Sequence, residues 1–178
     1  MKRILSLILA AALLVTALSG CADKKKTAGE AVLSGTEVTA KAGEQVVIPV
    51  VLSGMDSLKD SCNGRLAGFQ FDVSAPGLTI LGAVTELSSE TGSEIAANWT
   101  VDDSAQSDGS YLVMVVDMNL VGIEAAGDAE IARIQLKVPD DASGEYTVNY
   151  TITDICDTDA NSDVTDKITA SPSKVIVK

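Results

Sequence analysis

From Thr36 onward, apolar and polar residues alternate in short blocks, the period-two pattern of strands with one buried face. Val38–Ala40 precedes a Lys41-Ala42-Gly43-Glu44 turn, and Gln45–Leu52 is a β-branched run whose Pro49 implies an edge or a bulge. In Leu66–Val73, Phe69, Phe71 and Val73 fall on one side, Gln70 and Asp72 on the other. Ala75-Pro76-Gly77 separates this block from Leu78–Val84, and residues 85–95 read as a loop. Ala97–Asp102 follows, then Tyr111–Met118 after a Ser107-Asp108-Gly109 turn. Ala129–Val138 alternates, although its first half is equally compatible with helix. Glu145–Asp154 is the clearest strand, with Tyr146, Val148, Tyr150 and Ile152 on one face and Thr147, Asn149, Thr151 and Thr153 on the other. Lys174–Val177 closes the series. About nine strands with hardly any helix predict an all-β, two-sheet sandwich.

One strand departs from the pattern. In GSYLVMVVDMNL, residues 109–120, Tyr111, Val113 and Val115 share one face while Leu112, Met114 and Val116 share the other. Both faces are apolar. One belongs to the core, and the other needs a cover: a partner's surface, or the 119–130 segment folded back over it.

Ahead of these strands lies a leader. Lys2 and Arg3 form a positive n-region and Ile4–Leu18 an apolar h-region too short to read as a membrane span. It ends in Leu18-Ser19-Gly20-Cys21, which resembles the lipobox of bacterial lipoproteins. That resemblance implies cleavage before Cys21 and a diacylglycerol on its sulfur. The product would be exported and tethered to the cell membrane, facing outward. The expected organisation is a signal peptide over 1–20, a polar lipid-anchored linker over 21–35 containing Lys24-Lys25-Lys26, and one domain over 36–178.

Charge and composition narrow the function. The net charge is −12, and the leader holds Lys2 and Arg3 but no acid, so the exported part is more acidic still. Such a surface repels nucleic acid and anionic lipid. The chain has no histidine, which removes histidine triads and imidazole acid–base chemistry. No carboxylate pair stands in a recognisable catalytic setting, and no phosphate-binding glycine loop or CxxC pair is present, so no enzymatic activity is expected. Asp157, Asp159, Asn161 and Asp163 space oxygen atoms as a calcium loop does. Yet Ser162 stands where an EF-hand needs glycine and Ile168 where it needs glutamate. A polar loop accounts for the same residues, and no cofactor is expected.

Several stretches resemble cohesin domains in their order and spacing. Thr39-Ala40-Lys41-Ala42-Gly43-Glu44-Gln45-Val46-Val47-Ile48-Pro49-Val50 resembles the cohesin opening, and Ala67-Gly68-Phe69-Gln70-Phe71-Asp72-Val73 its third strand. Ser107–Val113 resembles the turn into the sixth strand, and Ile131–Ala142 the seventh strand with the turn beyond it. The likeness spans 36–178; Ser74-Ala75-Pro76-Gly77 departs from the Tyr-Asp-Pro-type turn usual at that place.

This resemblance implies a jelly-roll sandwich of about nine strands. It also implies a partner: the dockerin domains, calcium-loaded helical tags on polysaccharide-degrading enzymes. Calcium would then sit on the partner. The implied docking face is built from Glu145–Asp154, Ala67–Val73, Tyr111–Met118 and Ala97–Asp102. Leu112, Met114 and Val116 would form its centre, flanked by Gln70 and Asp72, by Thr147, Asn149, Thr151 and Thr153, and by Asn98 and Thr100 or, in the opposite phase, Trp99. The same mapping brings Cys62 near Cys156 and implies a disulfide, with two free thiols as the alternative. A carbohydrate-binding module is the second functional reading. Tyr111, Tyr146 and Tyr150 fall in phase with core residues, however, which leaves Trp99 as the aromatic side chain available to a sugar.

Overall fold

The computed structural model of the chain describes residues 30–85, 99–161 and 164–178. The leader, Cys21, Asn98 and Asp163 lie outside the described residues. Among the described residues there are twelve strands: β1 (Ala31–Gly35), β2 (Val38–Ala40), β3 (Gln45–Ser53), β4 (Arg65–Ser74), β5 (Thr79–Val84), β6 (Trp99–Ala105), β7 (Tyr111–Asp117), β8 (Ile123–Glu124), β9 (Ala129–Lys137), β10 (Gly144–Asp157), β11 (Ile168–Ser171) and β12 (Ser173–Val177). Among the described residues the helical pieces are two 3₁₀ segments, Met55–Ser61 and Thr165–Lys167. None is long and apolar enough to cross a membrane.

The strands pack as two sheets. One runs β11-β1-β3-β9-β5; the other runs β2-β12-β10-β4-β7-β6, with β8 pairing alongside β4. Alternation decides what lies between them. Ile48, Val50 and Leu52 of β3 and Ile134 and Leu136 of β9 face Phe69, Phe71 and Val73 of β4, Val113 and Val115 of β7, and Val148 of β10. Each large apolar side chain so buried contributes about 1.5–3 kcal/mol of transfer free energy. The Ala75–Leu78 turn closes with Leu78 N–H donating to Ala75 O at 3.0 Å. Pro76 and Gly77 (φ +84) hold its corner, as a type II turn requires.

The all-β sandwich matches the expectation, with three strands added. Residues 31–35, assigned from sequence to the linker, form β1, which pairs antiparallel with β3 and parallel with β11. Ala31 and Leu33 are fully buried there. The stretch AVLSG is too short and too small in side-chain size to announce itself as a strand. β8 and β11 are the other two, each only a few residues long. Pro49 sits in a central strand next to a bulge at Val50/Val51, so the bulge reading holds and the edge reading does not. Ala129–Lys137 is strand throughout.

Candidate docking face

The strands β10, β4, β7 and β6 present their outward residues in aligned rows. Thr151, Asp72, Leu112 and Ser104 form one row. Asp154, Gln70, Met114 and Asp102 form the next, and Cys156, Gly68, Val116 and Thr100 the third. Val113 and Val115 point into the core, while Leu112, Met114 and Val116 are half-buried on the outer face. The result is an apolar column along β7, bordered by carboxylates at Asp72, Asp102 and Asp154. No basic residue stands in the three rows, so the face is uniformly acidic.

The alternative cover for that column is not what the structure shows. After β7 the chain turns and stays in the plane of the sheet, where Leu66 pairs with Ile123 and Arg65 with Glu124. It then runs to the 3₁₀ segment: Met55 N–H donates to Gly127 O at 3.0 Å, and Gly127 N–H donates to the Asp56 carboxylate at 2.8 Å. The 119–130 segment is thus held beside β4 and away from Met114.

Most of the residues assigned to the face from sequence are brought together. Gln70, Asp72, Leu112, Met114, Val116 and Thr151 lie in the rows, and Asn149 pairs with Ser74 at one end. Thr147 lies further out, opposite Lys174 of β12, on the rim. Asn98 lies outside the described residues. Four side chains were not foreseen: Asp154, Cys156, Asp102 and Ser104. A bulge between Ile152 and Asp154 resets the phase of β10, so Thr153 drops out of register and Asp154 and Cys156 join the outer face. Asp102 joins through β6, whose phase is fixed at its start: Trp99 is only 5% exposed and stacks on Phe69 with ring centroids 5.8 Å apart. A tryptophan that large buries itself in the core and leaves Thr100, Asp102 and Ser104 outside.

The same burial withdraws Trp99 from sugar binding. The expected disulfide is likewise absent: Cys62 and Cys156 are separate thiols. Cys62 closes the 3₁₀ segment and is buried in the core, whereas Cys156, half-buried, lies on the outer face over Gly68. A Cβ at Gly68 would stand 2.6 Å from Cys156 Sγ and 3.9 Å from a Val116 methyl, so thiol and methyl share the space above the glycine. Burial pushes both thiols above their ordinary pKa, for Cys156 with help from Asp154 and Asp157, so both stay protonated at neutral pH.

In the loop considered for calcium, Asp157 is buried and committed to its own backbone. Its Oδ1 accepts the N–H groups of Asp159 at 2.8 Å and Asn161 at 2.9 Å. Asp159 in turn accepts from Asn63 Nδ2 at 2.8 Å. Asp157 thus closes an Asx-type turn, while Asp159 ties that turn to Asn63. Among the described residues no group of three or more acidic, cysteine or histidine side chains is arranged to hold a metal.

A second exposed apolar group lies on the opposite sheet. Val47, Leu81 and Val84 are exposed there, and Val47, Pro49 and Val84 line a shallow depression with Arg133 and Gln135. Arg133, which lines it, is paired with Glu130 at 2.6 Å.

A model of the Cohesin domain matches residues 31–177. The chain belongs to the cohesin family. Among solved structures, this cohesin is similar to that in the Coh-OlpA–Doc918 type I cohesin–dockerin complex from Clostridium thermocellum: 17% identity, 84% of this chain and 100% of that one covered, TM-score 0.61. The sixth cohesin of scaffoldin B from Acetivibrio cellulolyticus, solved with a Cel5 dockerin, is similar at 19% identity, with 84% and 100% covered and a TM-score of 0.60. So is a non-cellulosomal cohesin from the archaeon Archaeoglobus fulgidus, at 14% identity, with 84% and 92% covered and a TM-score of 0.59. No curated protein matches this cohesin by sequence. At such identities the structural likeness establishes the sandwich, while family membership rests on the matched domain.

Proposed function

We propose that this cohesin is a non-catalytic docking module. It binds the dockerin domain of polysaccharide-degrading enzymes through the outer face of β10-β4-β7-β6 and holds them at the cell surface by a lipid on Cys21. The observation that carries the reading is the apolar column Leu112, Met114 and Val116, half-buried at the centre of an otherwise polar, acidic face. An apolar centre with a polar border is the anatomy of a protein-binding surface, and methionine adapts its shape to a helical partner. The carboxylates of Asp72, Asp102 and Asp154 call for a partner with lysine or arginine around its own apolar residues. Relatives crystallised with dockerins support the choice of partner. The leader ending in Leu18-Ser19-Gly20-Cys21 supports the anchor. This cohesin's own residues need no cofactor for the task; calcium belongs to the dockerin. One lipid-anchored module would hold one enzyme.

The test is capture from the producing culture on the full chain in detergent, with calcium and again with chelator, followed by mass spectrometry. Retention of dockerin-bearing enzymes with calcium, lost in chelator and lost on Met114→Asp, is the expected result. Retention of polysaccharide alone, insensitive to Met114→Asp, would overturn the reading.

A further inference from the structure

The turn that follows β7 is built in an unusual way. Met118, Leu120 and Val121 are 68%, 42% and 37% exposed, three apolar side chains within four positions of a surface turn. Leu120 has φ +54, a left-handed conformation that disfavours a leucine by about 1–2 kcal/mol and that glycine or asparagine adopts readily. The turn is nonetheless held rigidly. Asp117, fully buried, accepts the N–H groups of Asn119 at 2.9 Å, Val121 at 3.0 Å and Gly122 at 2.8 Å. Arg65 donates from Nε to Val121 O at 2.6 Å and from Nη2 to Gly122 O at 2.7 Å. Gly122, at φ +69, packs so closely that a Cβ there would stand 2.5 Å from Leu66 O.

Folding stability does not account for the side chains so displayed. A polar residue at 118 or 121, or glycine at 120, would satisfy the same hydrogen bonds with less apolar surface in water and less backbone strain. Their position supplies the reason. β7 ends at Asp117, one residue past Val116, so the turn with its exposed Met118, Leu120 and Val121 stands directly at that end of the apolar column. The strand from Leu112 to Asp117 covers ~17 Å, the length of about 11 helical residues, and the turn lies beyond it.

We infer that the β7–β8 turn is a second, preformed anchor of the docking surface. The dockerin helix lying on Leu112, Met114 and Val116 continues beyond the sheet and packs an apolar side chain against Met118, Leu120 and Val121. The inference rests on the docking reading and extends it. The partner is an amphipathic helix of three to four turns, apolar along one stripe over its whole length. Continuity of the turn with the column, and the clamp that fixes it before any partner arrives, favour this occupant. A backbone fixed in advance lowers the ordering cost of binding.

The experiment is calorimetric titration of the full chain, in detergent, with individually purified calcium-loaded dockerin modules from the source organism. The tightest binder is then measured against Leu120→Gly, Met118→Ser and Met114→Asp. Leu120→Gly suits the left-handed backbone, so its thermal midpoint should equal or exceed that of the parent and any loss of binding is a loss of contact. Leu120→Gly and Met118→Ser should each weaken binding by about 5- to 30-fold, and Met114→Asp should abolish it. Loss with Met114→Asp but parental affinity for both turn variants would overturn the second anchor and leave the docking face standing. Parental affinity in all three, or no binding by any dockerin, would overturn both.

Discussion

Gly35 shows how a single residue joins the first strand to the core. A Cβ at this position would lie 2.0 Å from the Tyr150 hydroxyl, 2.6 Å from Ser173 Oγ and 2.7 Å from an Ile48 methyl. Those hydroxyls share a buried hydrogen bond of 2.8 Å. Gly35→Ala therefore overpacks the site, and urea unfolding should show a loss of about 1–3 kcal/mol. The same burial pushes the Tyr150 phenol up to about 12. A phenol is neutral when protonated, so the folded state holds this proton more tightly than the unfolded one, whose tyrosine titrates near 10. The stabilisation is complete below pH 10 and is lost as pH climbs from about 10 toward 12, a fall of about 2–3 kcal/mol. Comparing urea midpoints at pH 9 and pH 11 in the parent and in Tyr150→Phe isolates it: the extra alkaline fall should vanish in the variant. The thiols give a third check at this scale. Peptide mapping without reductant should find Cys62 and Cys156 unlinked; a crosslinked pair would contradict the placement of Cys62 in the core and Cys156 on the outer face.

At the scale of elements, one strand carries both stability and recognition. Phe71 and Asp72 are adjacent in β4, yet the first is fully buried and the second faces solvent. Phe71→Ala should lower unfolding free energy by about 3–5 kcal/mol. Asp72→Ala should shift it by less than about 0.5 kcal/mol while weakening dockerin binding, which paired denaturation and binding measurements would separate. Much of this was legible in the sequence. Where one face of a strand is wholly apolar, as in β4, β7 and the first half of β10, a period of two leaves one solution for which residues point inward. The opening motif and its turns carried the family. What escaped notice has physical causes. The bulge at Thr153 uses neither glycine nor proline, so nothing in the sequence announces the phase change that brings Asp154 and Cys156 outward. Asp102 hinged on whether Trp99 faced in or out, a choice made by its stack on Phe69 from another strand. The expected disulfide rested on closeness along the sheet, whereas Cys62 ends the 3₁₀ segment ahead of β4 and is buried in the core while Cys156 lies on the outer face of β10.

For the whole molecule, charge sets how the partner is found. A chain of net charge −12, carrying Asp72, Asp102 and Asp154 around its apolar column, attracts a basic surface over a Debye length of about 8 Å at physiological salt. Raising salt from about 0.05 to 0.5 M should slow association by tenfold or more and leave dissociation nearly unchanged, as stopped-flow mixing would read. The central claim is that the outer face of β10-β4-β7-β6, and not the exposed apolar group of the opposite sheet, receives the dockerin. Calorimetry on two single-charge variants decides between the faces. Met114→Asp should weaken binding by at least about 30-fold, with Val47→Asp indistinguishable from the parent. Loss of binding on Val47→Asp with Met114→Asp unaffected would contradict the account.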